Sequence, residues 1–245
     1  MFDIVIPYTD KDKSTINSCI NSCYKYLSGF GKIFIVSRNN PNVPRTIWIE
    51  ESKFFTLENI VKINPKIPKQ RVGWYLQQMI KLHVFEKIET SNDYCLILDS
   101  DVVFQTPTRF FSDENLPLYF AASEYHAPYF DIMPKLNPLF GRSVNSSGVA
   151  HMCLFKRTVL KEIHDLIKTH TGLSVIEAFL TNIVDSELNG SGFSEYELYY
   201  HFIHKFHPNE FKIRNLRYKT IFNHNPNADY SQYCDYLADH SWGRK

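Results

Sequence analysis

The sequence predicts an α/β fold in a single domain, and three observations carry that prediction. Short β-rich runs alternate with helix-like stretches over residues 1–104. The helix-like stretches are amphipathic at helical spacing. No linker rich in Gly, Pro and Ser and no internal repeat divides the 245 residues.

The first run is Phe2 to Pro7, the second Lys32 to Ser37, the third Tyr94 to Leu98. Between the first two, Ser14 is a candidate N-cap for a helix that turns Ile16, Ile20, Tyr24 and Leu27 inward and ends near Gly29 and Gly31. From Val72 to Phe85, Leu76, Met79, Ile80 and Val84 recur at helical spacing and leave Gln77, Gln78 and Lys81 on adjoining faces. Leu118 to Ala122 and Val149 to Phe155 read as further strands. Helices follow from Thr158 to about His170 and around Glu195 to Phe206, and the tail from Tyr218 reads as loop.

Composition narrows the function classes. Twenty-seven Lys and Arg against 26 Asp and Glu leave a net charge of +1, so no bulk field draws in nucleic acid or an anionic membrane. Any anionic ligand has to be met by a local site. The five cysteines are scattered without CxxC pairs, which predicts reduced structural thiols, and Cys19 and Cys23 suit packing on one helix face. The N-terminus lacks the pattern of a secretory signal, and no apolar segment reaches the length of a membrane span. The expectation is a cytoplasmic protein with no integral membrane span, with peripheral attachment left open.

The chemistry is concentrated after the third run. Asp99 and Asp101 flank Ser100 directly behind Cys95-Leu96-Ile97-Leu98, and alternation along an extended chain delivers both carboxylates to one side. Paired carboxylates suit a hard cation, Mg²⁺ or Mn²⁺, whose remaining positions take phosphate oxygens and water. The plain alternative is a turn capped by Asp and Ser.

Leu98-Asp99-Ser100-Asp101 resembles the Asp-x-Asp motif of the GT-A class of glycosyltransferases. Gly73-Trp74-Tyr75-Leu76-Gln77-Gln78-Met79-Ile80-Lys81-Leu82 is similar to the helix that precedes this motif in a bacterial and viral subgroup of uncharacterised glycosyltransferases. His240-Ser241-Trp242-Gly243-Arg244-Lys245 resembles the His-x-x-Gly and Lys ending of glycogenin-like enzymes, with Lys five rather than six residues after the His. The resemblance implies a Rossmann-like mixed central sheet flanked by helices. It also implies a Mn²⁺ or Mg²⁺ cofactor held by Asp99, Asp101 and His240. The partners it implies are a nucleotide-sugar donor, with UDP first by class frequency, and a glycan or other hydroxyl acceptor.

By position in that class, residues from about 1 to 104 hold the nucleotide at the carboxyl ends of their strands, and those from about 105 to 245 shape the acceptor side. Nucleotide contacts are expected from Pro7, Tyr8, Thr9 and Asp10 after the first strand, from Ser37 and Arg38 after the second, and from Ser100. Gly243 and Lys245 inherit the diphosphate, with Arg244 as the alternative cation. Gln77, Gln78 and Lys81 are expected against the donor sugar or diphosphate, with surface solvation the plain reading of Lys81. Loop residues without a ligand are the corresponding reading of the strand ends.

An inverting transfer needs a carboxylate base, and Glu195 and Glu197 lie in a Ser-Glu-Tyr-Glu element similar to one in the same subgroup. Ser194 and Glu197 have the spacing of a capping box, which leaves Glu195 as the preferred base, or as a favourable charge at a helix N-terminus. Glu197, His151 and His126 are the acceptor-side candidates, and a core histidine is the alternative for His151. No His cluster predicts zinc. Competing functions are a haloacid-dehalogenase-like phosphatase with Asp99 as nucleophile, a sugar nucleotidyltransferase and a non-catalytic sugar-nucleotide-binding module. The first lacks a later Gly-Asp motif, and the second lacks a Gly-rich basic loop after the first strand.

Overall fold

The apolar run at the N-terminus becomes the middle strand of the central sheet. The computed structural model describes residues 1–222, 225 and 228–240. In its N-terminal half β1 (Phe2–Pro7), α1 (Ile16–Tyr26), β2 (Phe30–Ser37), β3 (Ile47–Glu50), α2 (Leu57–Ile63), α3 (Lys69–Leu82), α4 (Val84–Lys87), β4 (Tyr94–Leu98) and β5 (Val102–Phe104) follow in order. Next come β6 (Leu118–Phe120), α5 (Ala127–Asp131), α6 (Met133–Leu136), β7 (Met152–Lys156), α7 (Arg157–Thr171) and α8 (Val175–Asn182). The described chain closes with α9 (Glu195–Phe206), β8 (Lys212–Arg214), β9 (Tyr218–Ile221) and β10 (Tyr236–Asp239).

The main sheet has the order β3-β2-β1-β4-β7. Its pairs are parallel except for the last, where β7 runs antiparallel to β4. Helices cover the sheet, so β1 and β4 read as nearly continuous apolar runs, and Ile4, Ile6, Leu96 and Leu98 are wholly buried. β2 lies on one side of β1 and β4 on the other, so the connections leaving the sheet diverge at the carboxyl ends of β1 and β4. A crevice at such a switch point is where open α/β sheets bind ligands.

Two small sheets complete the fold, β5-β10-β9 and β6-β8. The first overturns the reading of the tail as loop. β10 pairs antiparallel with β5, Ala238 opposite Val102, and the Asp239 amide donates to the Asp101 carbonyl at 3.0 Å. This pairing carries His240 to the end of β4, far from it in sequence.

Other differences have local causes. The expected strand from Val149 begins only at Met152 because His151 adopts φ 61°, a left-handed conformation that breaks the extended chain. The residue preceding α1 is Thr15 rather than Ser14. The Val72 to Phe85 helix is shifted toward its N-terminus and interrupted at His83. The capping box at α9 is half formed. The Ser194 hydroxyl accepts from the Glu197 amide, but the Glu197 side chain turns inward, accepting from the Ser147 hydroxyl at 2.6 Å and the Gly148 amide at 3.0 Å. A buried carboxylate has to be met by donors, and the Ser147 hydroxyl and Gly148 amide supply them where the N-cap amide would supply one.

Gly148 makes that approach possible. A Cβ at this position would stand 2.4 Å from Tyr200 Cβ and 2.7 Å from the Tyr196 carbonyl oxygen. Gly148→Ala is expected to destabilise the fold by about 3 kcal/mol, the upper end for overpacking because backbone rather than a flexible side-chain tip must yield. The chemical denaturation midpoint measures it. The five cysteines are buried and unbridged. Among the described residues no helix is long and apolar enough to cross a membrane.

Candidate active site

β4 is apolar to Leu98, and the chain then turns, with the Val102 amide donating to the Asp99 carbonyl at 3.2 Å. The two acids thus lie in a turn rather than on a strand, yet both line one cleft of about 280 Å³ at the switch point. Pro7 from β1, Gln77, Gln78 and Lys81 from α3, Ser100, Glu195 from α9 and His240 line the same cleft.

Lys81 is the electrostatic centre of this arrangement. Its side chain is 7% exposed, and its ammonium donates to Asp99 Oδ1 at 2.9 Å and to the Tyr196 hydroxyl at 3.2 Å while facing Glu195 Oε1 at 2.8 Å. It also sits 4.3 Å from the centre of the Tyr196 ring. Burial disfavours the charge on Lys81, but Asp99 and Glu195 more than offset that and raise its pKa. Burial likewise pushes the Asp99 carboxyl up, but Lys81 and His151 overcome it and hold the group well below the carboxylate range. For Glu195, 1% exposed, burial wins over Lys81 and the pKa is raised. The Gln78 amide nitrogen, in the orientation that satisfies both side chains, donates to the Glu195 carboxylate.

Opposite Lys81, imidazoles meet the two acids. His240 Nδ1 lies 3.2 Å from Asp101 Oδ2, His151 Nδ1 lies 3.7 Å from Asp99 Oδ2, and the two rings are 5.0 Å apart. Asp101 Oδ1 is buried and has no hydrogen-bond partner among the described residues. A carboxylate oxygen in that state suits a cation, and carboxylates with an imidazole form a donor set for Mn²⁺ or Mg²⁺. The three expected ligands are not drawn within 4.8 Å of one another, whereas His83, Glu86 and His164 are, so an ion here would tighten the set.

His151 holds its left-handed conformation while its carbonyl accepts the Asp99 amide at 2.9 Å. Strain of this kind collects at functional sites. His151→Gly is expected to be more stable than His151→Ala by about 1 kcal/mol, since only Gly adopts this conformation at no cost. Thermal denaturation of the two variants measures the difference.

The other nucleotide candidates border an adjoining cavity of about 230 Å³, where Tyr8, Thr9, Asp10, Ser37 and Arg38 meet, and Gln77 is a wall common to both cavities. The Ser37 hydroxyl is already engaged, donating to the Asn39 carbonyl at 2.8 Å and accepting from Trp48 Nε1 at 3.2 Å. Gly243 and Lys245, with Arg244, lie outside the described residues.

The acceptor-side candidates do not line the cleft. Glu197 is wholly buried, with His201 Nε2 3.3 Å from its carboxylate. His126 stands behind Tyr129, ring centres 4.6 Å apart, with Nε2 3.1 Å from the Ser191 carbonyl oxygen. His151 reaches Asp99 and His240 instead.

Sequence reasoning missed Asp12, Trp74, Tyr129 and Tyr196 as lining residues. Asp12 accepts from the Ser100 hydroxyl at 2.6 Å, and the Tyr196 hydroxyl donates to Asp99 Oδ1 at 3.0 Å. Tyr196 sits inside the Ser194 to Glu197 element, which was its available signal. An aromatic at a buried helix position reads as core, and Asp12 in Asp10-Lys11-Asp12 reads as a solvated turn.

The whole architecture has a counterpart among solved structures. The apo form of mouse xyloside xylosyltransferase 1 superposes with a TM-score of 0.51 over 99% of this chain and 98% of that one, at 10% identity. At that identity the likeness establishes a glycosyltransferase-like fold. No curated protein matches the sequence. Residues 35–241 match the model of a family described only as one of unknown function, DUF6492, and the chain belongs to that family.

Proposed function

We propose that this chain is a metal-dependent glycosyltransferase that moves a sugar from a nucleotide-sugar donor, UDP first among the bases, to a hydroxyl of a glycan or similar acceptor. The observation that carries the reading is the meeting of Asp99, Asp101 and His240 in one cleft whose Gln77 wall also borders the cavity of Tyr8, Thr9 and Arg38.

In this reading Tyr8, Thr9, Asp10, Ser37 and Arg38 surround the base and ribose, with Pro7 and Ser100 at the passage toward the diphosphate. Asp99, Asp101 and His240 hold the Mn²⁺ or Mg²⁺, which when bound offsets the charge developing on the departing nucleoside diphosphate. Gly243 and Lys245 are proposed as further diphosphate contacts. Gln77 and Gln78 orient the sugar by hydrogen bonds, and Lys81 keeps Asp99 ionised for the cation.

Glu195 enters the proposal as the base for an inverting transfer, because it lines the cleft and burial raises its proton affinity. Its ion pair with Lys81 gives it a second role in holding Lys81 against Asp99. Glu195→Gln separates the two. Loss of the base lowers kcat by about 100-fold or more with donor binding unchanged. Loss of positioning weakens donor and metal binding together. The direct experiment is nucleotide release from UDP-, GDP-, CMP- and dTDP-sugars with candidate acceptors, with and without Mn²⁺. Metal-dependent release from one donor supports the reading, and release of inorganic phosphate from a simple monoester instead would replace it with a phosphatase.

A further inference from the structure

Away from the cleft, the junction of α3 and α4 and the middle of α7 bring together a second set of metal-ligating side chains. His83, Glu86 and His164 place ligand atoms within 4.8 Å of one another, and among the described residues theirs is the set that does so. His83 and Glu86 stand three apart at the helix junction, and His164 reaches across from α7. His164 Nδ1 lies 3.2 Å from Glu86 Oε1. That is close to the ~3.3 Å edge of a tetrahedral shell with metal–ligand bonds of about 2.0 Å. The two imidazole rings are 5.0 Å apart.

The protonation states suit a ligand set. His83 Nδ1 is 2.8 Å from the Met79 carbonyl oxygen, which can only accept, so Nδ1 carries the proton and Nε2 keeps its lone pair. Metal-binding histidines are oriented by this kind of contact on the other ring nitrogen.

The surroundings leave room for an occupant. Phe55 packs edge-on against His83 with ring centres 4.9 Å apart, and a cavity of about 420 Å³ opens beside Glu86 and His164. Of the cations lining this cavity, Lys161 pairs with Asp165 at 2.5 Å and Arg157 donates to the carbonyls of Phe85, Thr90 and Asn92, and Lys168 lines it as well.

We infer that His83, Glu86 and His164 form a second cation site, separate from the Asp99 cleft, that takes a borderline ion of the Zn²⁺ class and leaves a fourth position open to the cavity. Two imidazoles and one carboxylate favour Zn²⁺ over Mg²⁺, which prefers an oxygen shell. The ion would tie α7 to the end of α3, the helix that carries Gln77, Gln78 and Lys81, and so steady one wall of the cleft. The inference does not depend on the sugar-transfer reading.

The test is equilibrium binding of Zn²⁺ to the full chain in excess Mg²⁺, with Co²⁺ as a spectroscopic substitute. The expected result is one equivalent of Zn²⁺ and visible Co²⁺ bands typical of a low-coordinate nitrogen and oxygen site. Glu86→Gln and His164→Gln should each weaken Zn²⁺ by about tenfold or more, as even outer-shell changes do at such sites. Asp101→Asn should keep the equivalent. Glu86 is half exposed, so its variant keeps the fold, which circular dichroism checks. No stoichiometric Zn²⁺ in the wild type, or unchanged affinity in both Glu86→Gln and His164→Gln, overturns the inference.

Discussion

Lys81→Met is expected to destabilise the protein by about 3–5 kcal/mol, the cost of leaving buried charge unmatched. Lys81 is the group within ion-pair distance of both Asp99 and the wholly buried Glu195, so its removal takes the cation from both and leaves Asp99 with Tyr196 and His151 and Glu195 with Gln78. Lys81→Met/Glu195→Gln should recover part of the loss, because one of the two unmatched charges is gone. A coupling of at least about 1 kcal/mol in the double-mutant cycle is the expected outcome. Additive losses would mean that the two side chains do not act as a pair.

The sign of the pH dependence follows from Asp99. Its folded pKa is depressed, so its contribution to stability is present above its unfolded pKa of about 3.9 and fades as pH falls below that value. Lys81→Met should flatten this acid limb of the stability profile.

Asp101→Asn carries the second large effect, and it separates function from folding. The isosteric amide keeps a carbonyl oxygen for the 3.2 Å contact of Asp101 Oδ2 with His240 Nδ1, so it should alter stability by no more than about 1 kcal/mol. Metal-dependent sugar transfer should nevertheless fall by about 100-fold or more, since the carboxylate is proposed to hold the cation that stabilises the leaving group. Steady-state kinetics beside a denaturation curve measures both.

Much of this molecule was legible in its sequence where local and tertiary preferences agree. β1 spans the expected residues because a covered parallel strand is a continuous apolar run, and α9 does so because Ser194 starts it and apolar residues recur along its length. β9 was hidden because its first three residues are exposed and carry no alternation, and β10 because a four-residue strand gains meaning only opposite β5. α2 and α8 went unread, although Thr56 with Asn59 and Ser174 with Glu177 form capping boxes at their N-termini.

At the site, Asp99 and Asp101 stood out because acids directly after an apolar strand need a partner. The partner itself did not stand out. Lys81, read alone, is as easily a solvated helix residue, and only the packing of α9 on α3 shows that it lies between two carboxylates. Glu197 was misleading for a related reason, since a Glu three residues after a Ser fits a cap, while burial gave its carboxylate to Ser147 and Gly148.

Whether Asp101 holds a metal for a nucleotide-sugar is read from thermal denaturation with a panel of UDP-, GDP-, CMP- and dTDP-sugars, with and without Mn²⁺, for wild type and Asp101→Asn. One donor should raise the midpoint only when Mn²⁺ is present, and Asp101→Asn, folded as before, should lose the shift. A shift that survives without metal, or that persists in Asp101→Asn, would rule out a metal-bound donor at this cleft.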